Sequence, residues 1–199
     1  MIFKEEKERL DVVFLLDMSG SMQGMEEDTI GGYNGYLDNM KDSDAKVTTV
    51  LFNGSHEMIT NGKCIKNVKK LSRKQYIPGG STALLDAIGD TIKYMDEKGS
   101  DKVLFIITTD GEENSSRRYT KEDIKRLINI HDNWEFIYLG ADIDSYSEAS
   151  SIGIKSNRTS NYKKTSKGVS KLFDKLKNMS WLYMEENCIS DDWKDGLDD

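Results

Sequence analysis

Five residues of this 199-residue chain are of the types that bind a hard metal ion: Asp17, Ser19, Ser21, Thr82 and Asp110. Two are carboxylates and three are hydroxyls. Such oxygen donors suit magnesium, calcium or manganese, and suit zinc or copper poorly. Ser19 and Ser21 are two residues apart with Gly20 between them, so a tight loop can point both hydroxyls to one side. With few anionic ligands a bound ion stays electrophilic and can attract a carboxylate from another molecule. Magnesium is the expected ion, with calcium or manganese as alternatives.

These residues need elements to bring them together. Asp17 ends the apolar run Asp11-Val-Val-Phe-Leu-Leu-Asp17, and Asp110 ends Val103-Leu-Phe-Ile-Ile-Thr-Thr-Asp110. Both runs are rich in β-branched and aromatic residues, as in strands buried on both faces. Thr82 closes the loop Gly79-Gly80-Ser81-Thr82, which stands before a helix presenting Leu84, Ile88, Ile92 and Met95. The pattern further predicts a helix over 25–41 and a strand over 46–52. A turn at Asn53-Gly54-Ser55 then leads to a short antiparallel strand at 56–60. Thr120 and Asp123 resemble a capping pair for a helix carrying Ile124, Leu127 and Ile128. Beyond it come a strand at 136–140 and a short helix with Ser145 and Glu148 in a capping pattern. A weak strand near 152–156 and a helix through 169–179 complete the series.

Strands alternating with helices imply an α/β fold: a Rossmann-like, doubly wound, mostly parallel sheet with one antiparallel edge strand and helices on both faces. Ligands of such sheets bind beyond the carboxyl ends of the strands, where strand order reverses. If the strands ending at Asp17 and Asp110 are neighbours there, their loops converge on one crevice.

Asp17-x-Ser19-x-Ser21, Thr82 in a Gly-Gly-Ser-Thr loop, and Thr-Asp110-Gly together resemble the metal-ion-dependent adhesion site of von Willebrand factor type A domains. The similarity runs over about residues 10–180. It implies that Ser19, Ser21 and Thr82 ligate the metal directly, that Asp17 and Asp110 act through waters, and that an acidic side chain of a partner completes the shell. The Asp-Met-Ser-Gly-Ser-Met form resembles intracellular bacterial, phage or plasmid members more than secreted adhesion domains.

Composition bounds the remaining possibilities. With 37% hydrophobic and 32% charged residues the chain can bury a core without disulfides, and Cys64 and Cys188 read as free thiols. No apolar stretch approaches the ~20 residues of a membrane span. The first residues lack the basic and long apolar regions of a signal peptide, so a cytoplasmic location is expected. The net charge of −7 argues against general nucleic-acid binding. It is uneven, however: residues 155–177 hold eight bases and one acid, and residues 185–199 hold seven acids and one base. Residues 1–183 are expected to form the domain and 184–199 an acidic, partly disordered tail. The basic segment is expected first as a solvated polar face, next as a dock for the tail through displaceable ion pairs, and last as a site for a phosphate-rich ligand.

The expected function is non-enzymatic: a protein–protein interaction module whose cation binds an aspartate or glutamate of a partner. One alternative is a magnesium-dependent phosphatase or phosphotransferase using Asp17 as nucleophile, although Ser19 stands where such enzymes carry a second acid. The other is a structural part of a phage or plasmid assembly with a stabilising metal. Glu112 and Glu113 are expected as a solvated pair, and Met22 and Met25 as either core or an adaptable rim.

Overall fold

The structure is a computed structural model that describes residues 9–197; residues 1–8 and the last two acids of the tail, Asp198 and Asp199, lie outside it. Six strands form one sheet: β1 (Asp11–Asp17), β2 (Lys46–Phe52), β3 (His56–Cys64), β4 (Val103–Thr109), β5 (Trp134–Gly140) and β6 (Thr159–Asn161). Their spatial order is β3-β2-β1-β4-β5-β6. All pairs are parallel except β2 with β3, so the antiparallel strand lies at the edge. β1 lies directly beside β4, and strand order reverses there. The crevice expected from strand order therefore lies at the ends carrying Asp17 and Asp110.

The helices are α1 (Glu26–Met40), α2 (Leu84–Glu97), α3 (Lys121–Asn129), α4 (Ser145–Ser151) and α5 (Ser166–Glu186). They cover two faces because side chains alternate across each strand. Val12, Phe14 and Leu16 join Tyr33, Tyr36, Leu172 and Leu176 of α1 and α5 on one side. Val13 and Leu15 join Ile88, Ile92 and Ile124 of α2 and α3 on the other. Phe14 meets Tyr33 and Tyr36 edge to face, at centroid distances of 5.4 and 4.9 Å. Both buried phenols are satisfied, Tyr33 by Thr49 at 2.6 Å and Tyr36 by Ser180 at 2.8 Å.

Three elements differ from expectation. β3 runs to Cys64 rather than stopping at 60, because Asn61-Gly62 forms an irregularity within the strand rather than a turn. Gly62 takes φ +50 and its N–H bonds the Thr48 hydroxyl, beside the register shifts on β2. The sixth strand lies at Thr159–Asn161 and not near 152–156; Ile152 and Ile154 instead bury against the α2 and α3 side of the core. α4 is capped by Asp144, whose side chain accepts from Ser147 N–H. Ser145 is its first helical residue and turns inward to Asn161, while Glu148 pairs with Lys121.

α5 runs through position 183 to Glu186, where Asn187 ends it in the left-handed conformation. The segment beyond is packed, with Ile189, Trp193 and Leu197 buried in the α1 and α5 side of the core. Trp193 also donates its indole N–H to the carbonyl of Asn157 at 2.9 Å. Lys194 reaches the carbonyls of Ser156 and Thr159, each at 2.7 Å. Among the described residues, the one ion pair joining this acidic segment to the basic one is Arg158 with Asp191 at 3.5 Å. Apolar anchors and side-chain hydrogen bonds to backbone carbonyls hold the tail, with charge complementarity a minor part.

Candidate metal centre

Asp17 is fully buried at the end of β1. Its Oδ1 accepts from the Ser19 N–H at 2.6 Å, and its Oδ2 lies 2.6 Å from the Thr109 hydroxyl. Burial pushes its carboxyl above the usual range, against the pull of the Thr109 and Ser19 hydrogen bonds, and the nearby Asp110 adds to the rise. The Asp17 carbonyl accepts from the buried Tyr76 phenol. The loop following β1 is thus held from both ends of one residue.

The Ser19 and Ser21 hydroxyls lie 3.0 Å apart, and Ser21 donates to Asp110 Oδ1 at 2.5 Å. A hydroxyl that donates toward a carboxylate keeps its lone pairs free for a cation. Thr82 joins them from the second loop. Its backbone is gripped by Asn114, whose side chain accepts from Thr82 N–H at 2.9 Å and whose own N–H bonds the Thr82 carbonyl at 3.0 Å.

Gly111 gives the clearest measure of this convergence. A Cβ placed on it would stand 2.9 Å from Thr82 Oγ1, 3.3 Å from Ser21 Oγ and 3.5 Å from Ser19 Oγ. Three hydroxyls from two loops therefore face one small space, with two carboxylates behind them. The donor set and the cradle fit a small, hard divalent cation. Ser19, Ser21 and Thr82 would hold it, and Asp17 and Asp110 would orient the hydroxyls and balance the charge. Among the described residues no group of three or more His, Cys, Asp or Glu side chains is placed to hold a metal.

Main-chain bonds fix the two loops to each other. Gly20 N–H donates to Gly80 O at 3.0 Å, and Gly79 N–H donates to Met18 O at 2.8 Å. Gly80 takes φ +81, which only glycine adopts without strain, and this turns its carbonyl to Gly20. Asn53, at the end of β2, bonds Gly79 O through its amide and Ala83 N–H through its carbonyl.

All five sequence-predicted residues meet in this crevice. Met22 and Met25 are buried in the core and form no rim. Glu113 is no solvated acid: its carboxylate accepts from the N–H groups of Leu85, Ser115 and Ser116 and from the Ser116 hydroxyl. It ties the loop after β4 to the start of α2. Asp86 clasps the same loop from below, accepting from the N–H groups of Arg117, Arg118 and Tyr119. Burial works to raise its pKa, but those donors and Arg118 outweigh it and hold the carboxyl below its ordinary value.

Lys164 was not expected here. From the loop between β6 and α5 its ammonium lies 2.7 Å from Asp110 Oδ2 and 2.5 Å from the Ser21 carbonyl. No spacing signal links position 164 to the motif, and only the tertiary fold brings it in. The histidines sit elsewhere, His56 against Asp90 and His131 stacked on Trp134.

No protein-family model and no curated protein matches the sequence. Solved structures do match. A von Willebrand factor type A protein from Catenulispora acidiphila aligns at TM-score 0.64 and 17% identity, covering 87% of this chain and 43% of that one. Proximal thread matrix protein 1 of the mussel byssus, with a zinc-occupied MIDAS motif, aligns at 0.62 and 14%, covering 84% and 47%. The manganese-loaded TRAP protein of Plasmodium vivax aligns at 0.61 and 22%, covering 79% and 69%. The chain spans about half the length of the mussel and Catenulispora proteins. Its sheet order, the single antiparallel edge strand and the covering helices are those of the von Willebrand factor type A fold.

Proposed function

We propose that the chain is a metal-dependent interaction module, in which a divalent cation held by Ser19, Ser21 and Thr82 captures an aspartate or glutamate of a partner protein. The observation that carries this reading is the convergence of those three hydroxyls beside Gly111. Two buried or part-buried carboxylates set behind neutral donors leave a bound ion with positive charge to share. Magnesium is the proposed resident ion, since its small octahedral shell accepts hydroxyls and waters. Structural neighbours carry zinc and manganese, which supports a divalent ion in general. Two free thiols support a reducing, cytoplasmic setting.

Binding is favoured over catalysis by the state of Asp17. A nucleophilic carboxylate needs a free oxygen facing substrate, whereas both Asp17 oxygens are engaged and the side chain is fully buried. Neither histidine lies against the site to serve as general base.

The test is capture of partners from a lysate of the native host in magnesium, in EDTA, and with Thr82→Ala and Asp110→Ala. Partners held in magnesium and released by chelation and by both substitutions are the expected result. Partners retained through all three treatments would exclude the metal-bridged mode.

A further inference from the structure

Asp110 Oδ2 is buried and makes no hydrogen bond, and the charge facing it is the ammonium of Lys164 at 2.7 Å. An isolated buried carboxylate is costly, so this contact is a requirement of the site rather than a surface ornament. The lysine is also held in place. Its ammonium bonds the Ser21 carbonyl, within the loop that supplies two of the hydroxyls. Tyr162, two residues before it, is buried, and Thr165, just after it, caps α5 through the Gly168 N–H at 3.1 Å. Gly168 packs so closely on the Lys163 backbone that a Cβ there would fall 2.1 Å from the Lys163 carbonyl. The loop that presents Lys164 is therefore pinned on both sides.

From this geometry we infer that Lys164 tunes the centre, weakening its hold on the divalent ion and strengthening the pull of the bound ion on an acidic partner. Asp17 and Asp110 together carry two negative charges, and the ammonium cancels one of them. A divalent ion entering such a site meets less compensating charge and is repelled by a neighbour of like sign. Once bound, the same deficit leaves the ion with more positive charge to share than two unopposed carboxylates would leave it. A carboxylate arriving from outside is then attracted more strongly. One side chain thus moves metal affinity and partner affinity in opposite directions, which a merely structural lysine would not do. The inference rests on the metal-binding reading above.

Calorimetric titration of magnesium into the wild type, Lys164→Met and Lys163→Met separates the possibilities. Lys163→Met removes the same charge one position away, on an exposed side chain. Lys164→Met is expected to bind magnesium at least about tenfold tighter, the order expected for removing a like charge close to the ion. Lys163→Met is expected to stay near the wild type. The manganese-loaded proteins are then titrated with acetate as the probe carboxylate, followed by water-proton relaxation as acetate displaces metal-bound water. Acetate affinity is expected to fall in Lys164→Met. Equal magnesium affinity in all three proteins, an equal shift in Lys163→Met, or acetate binding that does not weaken would each overturn the role of Lys164 while leaving the metal site intact. Absence of magnesium and manganese binding from every protein would remove the metal reading itself, and this inference with it. Should Lys164→Met lose its fold in EDTA, Lys164→Gln keeps a donor for Asp110 without the charge and carries the same expectations.

Discussion

Gly111 shows how small a change the centre tolerates. Its missing side chain leaves the space onto which Thr82, Ser21 and Ser19 converge, so Gly111→Ala would crowd the three hydroxyls proposed to hold a cation. The expected outcome is loss of magnesium binding by calorimetry, with a melting temperature in EDTA close to that of the wild type. That these five residues could meet was legible in the sequence because each stands at the end of a buried strand, in the loop just after it, or just before a helix, where type and position together signal chemistry. Lys164 and Glu113 were not. Lys164 reaches Asp110 across 54 positions, and in the sequence it is one of eight bases in a polar stretch. Glu113 reads as half of an acidic pair until the fold shows the four donors it satisfies.

At the scale of elements, local signals predicted well wherever a side chain acts on its own backbone. The α3 capping box forms as read: Thr120 accepts from Asp123 N–H, and Asp123 accepts from Thr120 N–H. The Thr120 hydrogen bonds, with Arg126 alongside, lower the Asp123 carboxyl to about 2. Because its folded pKa lies below the unfolded value of about 3.9, its contribution is complete above that value and fades as pH falls toward 2. Asp123→Ala is therefore expected to flatten stability against pH between about 4 and 2, read from urea midpoints across that range. Signals failed where tertiary contacts decided the outcome. Ile152 and Ile154 have the alternation of a strand, yet the hydrophobic core beside α2 and α3 takes them, and the three-residue Thr-Ser-Asn segment supplies the strand instead. The polar character of that segment hides it from any pattern built on apolar periodicity.

Across the whole molecule, the basic and acidic segments near the end of the chain lie together, but not for the reason their charges suggest. Trp193 is buried with its N–H satisfied, while a single long ion pair joins the two segments among the described residues. Trp193→Ala is expected to cost about 3 kcal/mol by urea denaturation, as truncation of a buried aromatic does. The wild-type melting temperature is expected to change little between low and high salt, since surface pairs are screened whereas apolar burial is not. The same division of labour governs the centre. Its shape is held by main-chain bonds, Gly20 to Gly80 and Gly79 to Met18, and by the side chains of Asn53, Asn114 and Tyr76, and its three hydroxyls hang from that frame. Exchange of Ser19, Ser21 or Thr82 for alanine would remove a hydroxyl from the centre and leave those main-chain bonds in place. Fold and chemistry can therefore diverge independently in this architecture: a descendant could lose the three hydroxyls and still keep the same loops in the same places.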